Sequence, residues 1–90
     1  MLTENTKIKR TDLPWQAIED QTLVLTPENS MAHELNLTAS WIWQNIHNEI
    51  TVQKLLDKFL LEFDIDKTTA KNDIIDLLTK MDGNHLIQIL

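Results

Sequence analysis

His33-Glu34-Leu35-Asn36-Leu37-Thr38-Ala39-Ser40-Trp41-Ile42-Trp43 is the stretch on which the reading of this chain turns. His33, Glu34 and Leu35 read as the end of a strand, their side chains pointing alternately to its two faces. Asn36 stands where a helix N-cap belongs, with a side-chain oxygen able to accept from a free backbone N–H one turn on. Ala39, Ile42, Trp43 and Ile46 then recur at helical spacing and give that helix one apolar face. A strand therefore hands directly to a helix. Upstream of this junction the residues alternate and turn; downstream they repeat like helices.

Upstream, Trp15, Ala17 and Ile18 start a strand, Glu19-Asp20-Gln21 makes a turn, and Thr22-Leu23-Val24-Leu25 is a second strand. Pro27-Glu28-Asn29-Ser30 carries the residue types of a second turn, and Met31 to Leu35 completes an antiparallel meander. Three strands so short need a cover of helices on one face. Downstream, the first helix is expected over residues 37–46. Thr51 is placed to cap a second, in which Val52, Leu55, Leu56, Phe59, Leu60 and Phe63 form one amphipathic stripe. Asp66 is placed to cap a third, where an acid also suits the helix dipole, and Ala70, Ile74, Leu77, Leu78 and Met81 form its buried stripe. Gly83, the one glycine, is positioned as the left-handed residue that ends this helix, and residues 85–90 form a last extended segment. The fold class read from this order is α+β: a small winged-helix-like domain with a three-stranded antiparallel sheet followed by three helices, β-β-β-α-α-α. Residues 1–12 are polar and aperiodic and are expected to be a flexible arm, leaving residues 13–90 as a single domain.

Ninety residues with 42% apolar content suffice for one core. Fourteen acidic against eight basic residues give a formal charge of −6, which disfavours a phosphate backbone as partner; Lys54, Lys58, Lys67, Lys71 and Lys80 are all interleaved with carboxylates. The chain has no cysteine, so it carries neither disulfide, thiolate metal site nor cysteine nucleophile, in keeping with a reducing compartment. Residues 1–12 hold no signal-peptide-like run, and nothing resembles a membrane span; a soluble, cytoplasmic protein with no membrane partner is expected.

Catalysis finds no support. The sequence has no G-x-S-x-G, no glycine-rich phosphate loop and no H-E-x-x-H. His33, His47 and His85 show no short-range ligand spacing, and Asp64-x-Asp66 reads as helix termination and capping. No cofactor and no metal are expected. Trp43 belongs to the core stripe; Trp41 lies about 200° around the same helix and serves either the rim of the core or a partner. What remains is a surface for binding. If residues 30–35 lie at a sheet edge, their free backbone groups can pair with an extended peptide, with the third helix as the other wall. On that helix Lys71, Ile75, Leu78 and Asp82 form a row beside the core stripe.

Ala32-His33-Glu34-Leu35-Asn36, followed by Thr38-Ala39 and Ile42-Trp43, resembles the PqqD family, small peptide-binding proteins or domains also described as RiPP recognition elements. The likeness extends through Thr51-Val52 with Leu55, Ala70 to Leu78, and Gly83 with Leu86-Ile87, covering roughly Trp15 to Ile87. His47-Asn48-Glu49-Ile50 departs from the Asp-Gly turn frequent in the family, and Met31, Ala32 and His33 lack its frequent strand aromatic. The resemblance implies a sheet followed by three helices, and a non-enzymatic chaperone. It further implies that the leader of a ribosomally made precursor is held as an added strand between the third strand and third helix. The partner enzyme it implies is a radical S-adenosylmethionine protein, or a leader peptidase and cyclase. The peptide-binding residues expected on this basis are Ser30, Met31, Ala32, His33, Glu34 and Leu35 on the strand. On the helix they are Lys71, Ile74, Ile75, Leu78, Thr79 and Asp82. A monomer or weak dimer is expected. The alternatives are a winged-helix regulator that binds nucleic acid, and a module that self-associates through its edge strand or the tail His85–Leu90.

Overall fold

A computed structural model describes residues 2–90. The meander is present as expected: β2 (Trp15–Ile18), β3 (Gln21–Thr26) and β4 (Met31–Leu35) pair antiparallel in that order, preceded in the chain by β1 (Lys7–Arg10). Ile18 pairs with Gln21 across a two-residue turn in which Glu19 adopts a left-handed backbone, φ 57°. Between β3 and β4 a short 3-10 turn, Pro27–Asn29, ends on Ser30, itself left-handed at φ 55°. Ser30 thus belongs to the turn and not to the strand, which corrects the expected edge by one residue.

The three helix starts follow the sequence closely, because each has a side chain that satisfies an otherwise free N–H. Asn36 accepts from Ala39 N–H at 2.9 Å to open α1 (Leu37–Asn45), and Ser40 Oγ donates to the Leu35 carbonyl at 3.0 Å, tying the helix to the end of β4. Thr51 accepts from Lys54 N–H to open α2 (Val52–Glu62), and Asp66 accepts from Thr69 N–H to open α3 (Lys67–Gly83). Ile42, Trp43, Leu55, Leu56, Ile74 and Leu78 are fully buried where the helices meet the inner face of the meander. Trp41 packs edge-to-face on Phe59 and Phe63, with centroids 5.4 and 5.6 Å away, which makes it a rim residue of the core.

Two features depart from the expected architecture. The first is a second antiparallel sheet, ordered β5 (Ile50–Thr51), β1 (Lys7–Arg10), β6 (Ile87–Ile89). The flexible arm expected over residues 1–12 is therefore corrected across Lys7–Arg10, which is the central strand of this sheet with Ile8 wholly buried; Met1 lies outside the described residues. Ahead of β1, the carbonyls of Glu4 and Thr6 accept from the N–H groups of Gln53 and Val52, two donors that the start of α2 leaves free. Arg10, at the far end of β1, joins the two halves. Its guanidinium lies between the rings of Trp15 and Trp43, 5.1 and 5.2 Å from their centroids, and donates to the Trp43 carbonyl at 3.1 Å.

The second departure is the end of α3. Gly83 stays helical, and the left-handed residue is His85, φ 61°. Leu86 N–H reaches the Met81 carbonyl at 2.9 Å and His85 N–H the Asp82 carbonyl at 3.0 Å, the paired bonds of a Schellman ending. Burial of both Met81 and Leu86 holds this ending in place, two residues beyond the glycine.

Candidate functional site

The hydrogen-bonding phase of the meander decides which backbone groups it leaves free. Leu25 N–H donates to the Pro14 carbonyl, so Gln21, Leu23 and Leu25 direct their backbone groups toward β2. Thr22, Val24 and Thr26 consequently face β4, where their register partners are Leu35, His33 and Met31. Ala32 and Glu34 are left pointing their N–H and C=O groups away from the sheet. Since β4 is an outer strand, those four groups form an open edge.

Beside this edge, between β4 and α3, lies an open cleft of about 440 Å³. Its floor is apolar: Leu35, Ala39, Met81 and Leu86 are buried and Leu77 is half-buried. Its rim is polar, formed by His33, Glu34 and Asn36 on the strand side and by Lys80 and Asn84 on the helix side. His33 is half-buried, with Nε2 3.3 Å from the Thr26 hydroxyl. Among the described residues neither Glu34 nor Lys80 has an ion-pair partner.

Of the strand residues expected at the site, Ala32, His33, Glu34 and Leu35 line this cleft, whereas Met31 is exposed beyond it. The helix residues are placed differently. Ile74 and Leu78 are fully buried in the core and present nothing to the cleft. Lys71 and Ile75 face the opposite flank of α3, in a depression shared with Leu2, Thr3 and Glu4. There the Lys71 ammonium sits 2.9 Å from the Glu4 carboxylate, and this hydrogen bond and charge hold Glu4 below the usual carboxylate range. Thr79 and Asp82 are exposed, and the Thr79 hydroxyl donates to the Ile75 carbonyl. The cleft wall on α3 is instead Leu77, Lys80, Met81 and Asn84.

Ile75 and Leu77 stand two positions apart, about 200° around a helix, so both cannot serve one groove. The residues missed in the sequence do carry a signal. Leu77, Lys80 and Asn84 recur at helical spacing along the other border of the same stripe. Among the described residues no three His, Cys, Asp or Glu side chains gather as metal ligands, and no helix is long and apolar enough to cross a membrane.

With this geometry in place, known proteins provide a comparison. The sequence model of the family described as coenzyme PQQ synthesis protein D (PqqD) matches residues 21–87. That span holds β3, β4, all three helices and the whole cleft. A solved structure described as TbiB1 in complex with the TbiA(beta) leader peptide superposes with a TM-score of 0.81 at 21% identity, covering 89% of this chain and 94% of that one. At that identity the superposition establishes the shared fold. No curated protein sequence matches the chain significantly.

Proposed function

We propose, from the premise that this chain belongs to the PqqD family, that it is a non-catalytic peptide chaperone. It holds the leader segment of a ribosomally made precursor as an added strand on β4 and presents the remainder to a modifying enzyme. The observation that carries this reading is the open edge itself: four backbone groups of Ala32 and Glu34, unused by the sheet, beside a cleft with an apolar floor. Each backbone bond to an incoming strand contributes about 1 kcal/mol net, and the floor adds apolar burial at alternate side chains. A protein of the same fold is described in complex with a leader peptide, which supports a leader-binding role.

The partner enzyme in this reading is a radical S-adenosylmethionine protein, or a leader peptidase and cyclase, that meets the chaperone in the cytoplasm. The test is a nitrogen–proton NMR titration with the N-terminal segment of the small peptide encoded beside its gene. Shifts are expected at Ala32 and Glu34 and along Leu77, Lys80 and Met81. Shifts confined to the Lys71–Ile75 flank, or none at all, would overturn the assignment of the cleft.

A further inference from the structure

An antiparallel strand added to β4 has its side-chain directions dictated by the pleat. Residues opposite Leu35 and His33 fall on the inner side, over the cleft floor of Leu35, Leu77 and Met81. The residue between them falls opposite Glu34, on the outer side of the sheet. Glu34 stands there next to Leu23, its cross-strand partner, and borders a shallow depression with Ile18 and Gln21. Its carboxylate is exposed and has no ion-pair partner among the described residues. Facing the inner side, the exposed Lys80 on the α3 wall is likewise without a carboxylate partner. The two sides of an incoming strand thus meet charges of opposite sign.

We infer that Glu34 and Lys80 select the charge pattern of the bound leader, an inference that rests on strand addition at β4. The preferred segment is apolar–basic–apolar, with Lys or Arg opposite Glu34 and an apolar residue on either side of it directed into the cleft. A basic residue at either inner position is excluded by Lys80 and by loss of contact with the floor. The recognised substrate is a leader whose paired stretch alternates strictly and carries its positive charge on the outer side alone. Cross-strand charge pairs on exposed sheet faces change affinity about two- to fivefold, and like charges act in the opposite direction by a similar factor. The wild type therefore prefers a basic over an acidic ligand by roughly tenfold, and exchanging the sign at Glu34 inverts that preference, shifting the ratio by roughly a hundredfold.

The experiment selects a phage-displayed library of random dodecapeptides separately on the full chain, on Glu34→Lys and on Glu34→Gln. Wild-type pools are expected to show alternating apolar positions with Lys or Arg between them. Glu34→Lys pools are expected to keep the alternation and replace that residue with Asp or Glu, and Glu34→Gln pools to lose the charge preference alone. Amide spectra of each variant establish that the exposed substitution leaves the fold intact. A charge preference unchanged across the three pools, in peptides that shift the Ala32 and Glu34 amides, would overturn the role of Glu34 while leaving strand addition standing. Selected peptides that shift other faces would overturn strand addition itself.

Discussion

Proline substitutions at adjacent positions of β4 separate the open edge from the paired edge. Ala32 directs its N–H off the sheet, so Ala32→Pro removes a donor that the folded protein does not use. His33 directs its N–H toward Val24, which is wholly buried, so His33→Pro breaks a ladder bond and leaves the Val24 carbonyl without its partner. The lost bond costs about 1 kcal/mol and the orphaned carbonyl a further 1–3 kcal/mol, giving a destabilisation of about 2–4 kcal/mol for His33→Pro. Ala32→Pro is expected to stay within about 0.5 kcal/mol of the wild type, as surface substitutions do. Its effect belongs to binding: one backbone bond to the leader is lost, weakening affinity about two- to tenfold before any clash of the ring with the incoming strand. Urea unfolding measures the first quantity, and titration of a fluorescently labelled leader measures the second. The reasoning fails if Ala32→Pro destabilises as much as His33→Pro, or if it binds leader at full strength.

Further outcomes follow from the same geometry. Leu77→Asp places a charge in the cleft floor and is expected to weaken leader binding at least tenfold, whereas Ile75→Asp, on the opposite flank, is expected to leave it within about twofold; the same titration decides. Arg10→Met keeps the apolar stem but removes the cation between two indoles and the bond to the Trp43 carbonyl. A loss of about 1–2 kcal/mol in urea unfolding is expected. His85→Gly relieves a left-handed backbone in a residue with a Cβ, and is expected to raise stability by about 0.5–1 kcal/mol in the same assay. Glu4, whose carboxyl is held below its ordinary value first by the hydrogen bond from Lys71 and then by its charge, stabilises the N-terminal segment above the ordinary glutamate pKa of about 4.3. That contribution is lost as pH falls through the lowered folded value. An NMR pH titration of the Glu4 carboxyl is expected to show the depressed midpoint, and Lys71→Gln to restore the ordinary one.

Much of this architecture is legible in the sequence because its signals are local. Asn36, Thr51 and Asp66 each cap a helix within three residues of the N–H they satisfy, and each reads correctly. The second sheet is illegible for the opposite reason. Lys7–Arg10 contains one buried apolar residue among three charged or polar neighbours, and its partners are a two-residue strand and the distant C-terminus. No window of sequence contains that pairing. The cleft is half legible. Hydrophobic period locates the stripe of α3 that faces the core, but the stripe has two borders, and only the placement of β4 decides which one the cleft uses. Lys71 and Ile75 look like a charged and apolar groove wall from sequence; Lys71 is instead paired with Glu4, and Ile75 lines a depression shared with Leu2 of the N-terminal segment. Gly83 shows a related limit: the helix stops where Leu86 finds its place against Met81, and His85 takes the strained backbone the glycine was free to adopt.

The central position of β1 has a kinetic consequence. The meander and α1 assemble from segments that adjoin in the chain, so their closure entropy is small and they can order early. The second sheet joins Ile8 to Ile89, nearly the full length of the molecule, and Leu90 N–H closes on the Lys7 carbonyl. Closing so long a loop costs more entropy than closing the meander, so this sheet is expected to form late and to open first. Native-state hydrogen exchange is therefore expected to release the β1–β6 amides at lower free energy than those of β3. The strand that receives a partner would remain formed while the ends of the chain come apart.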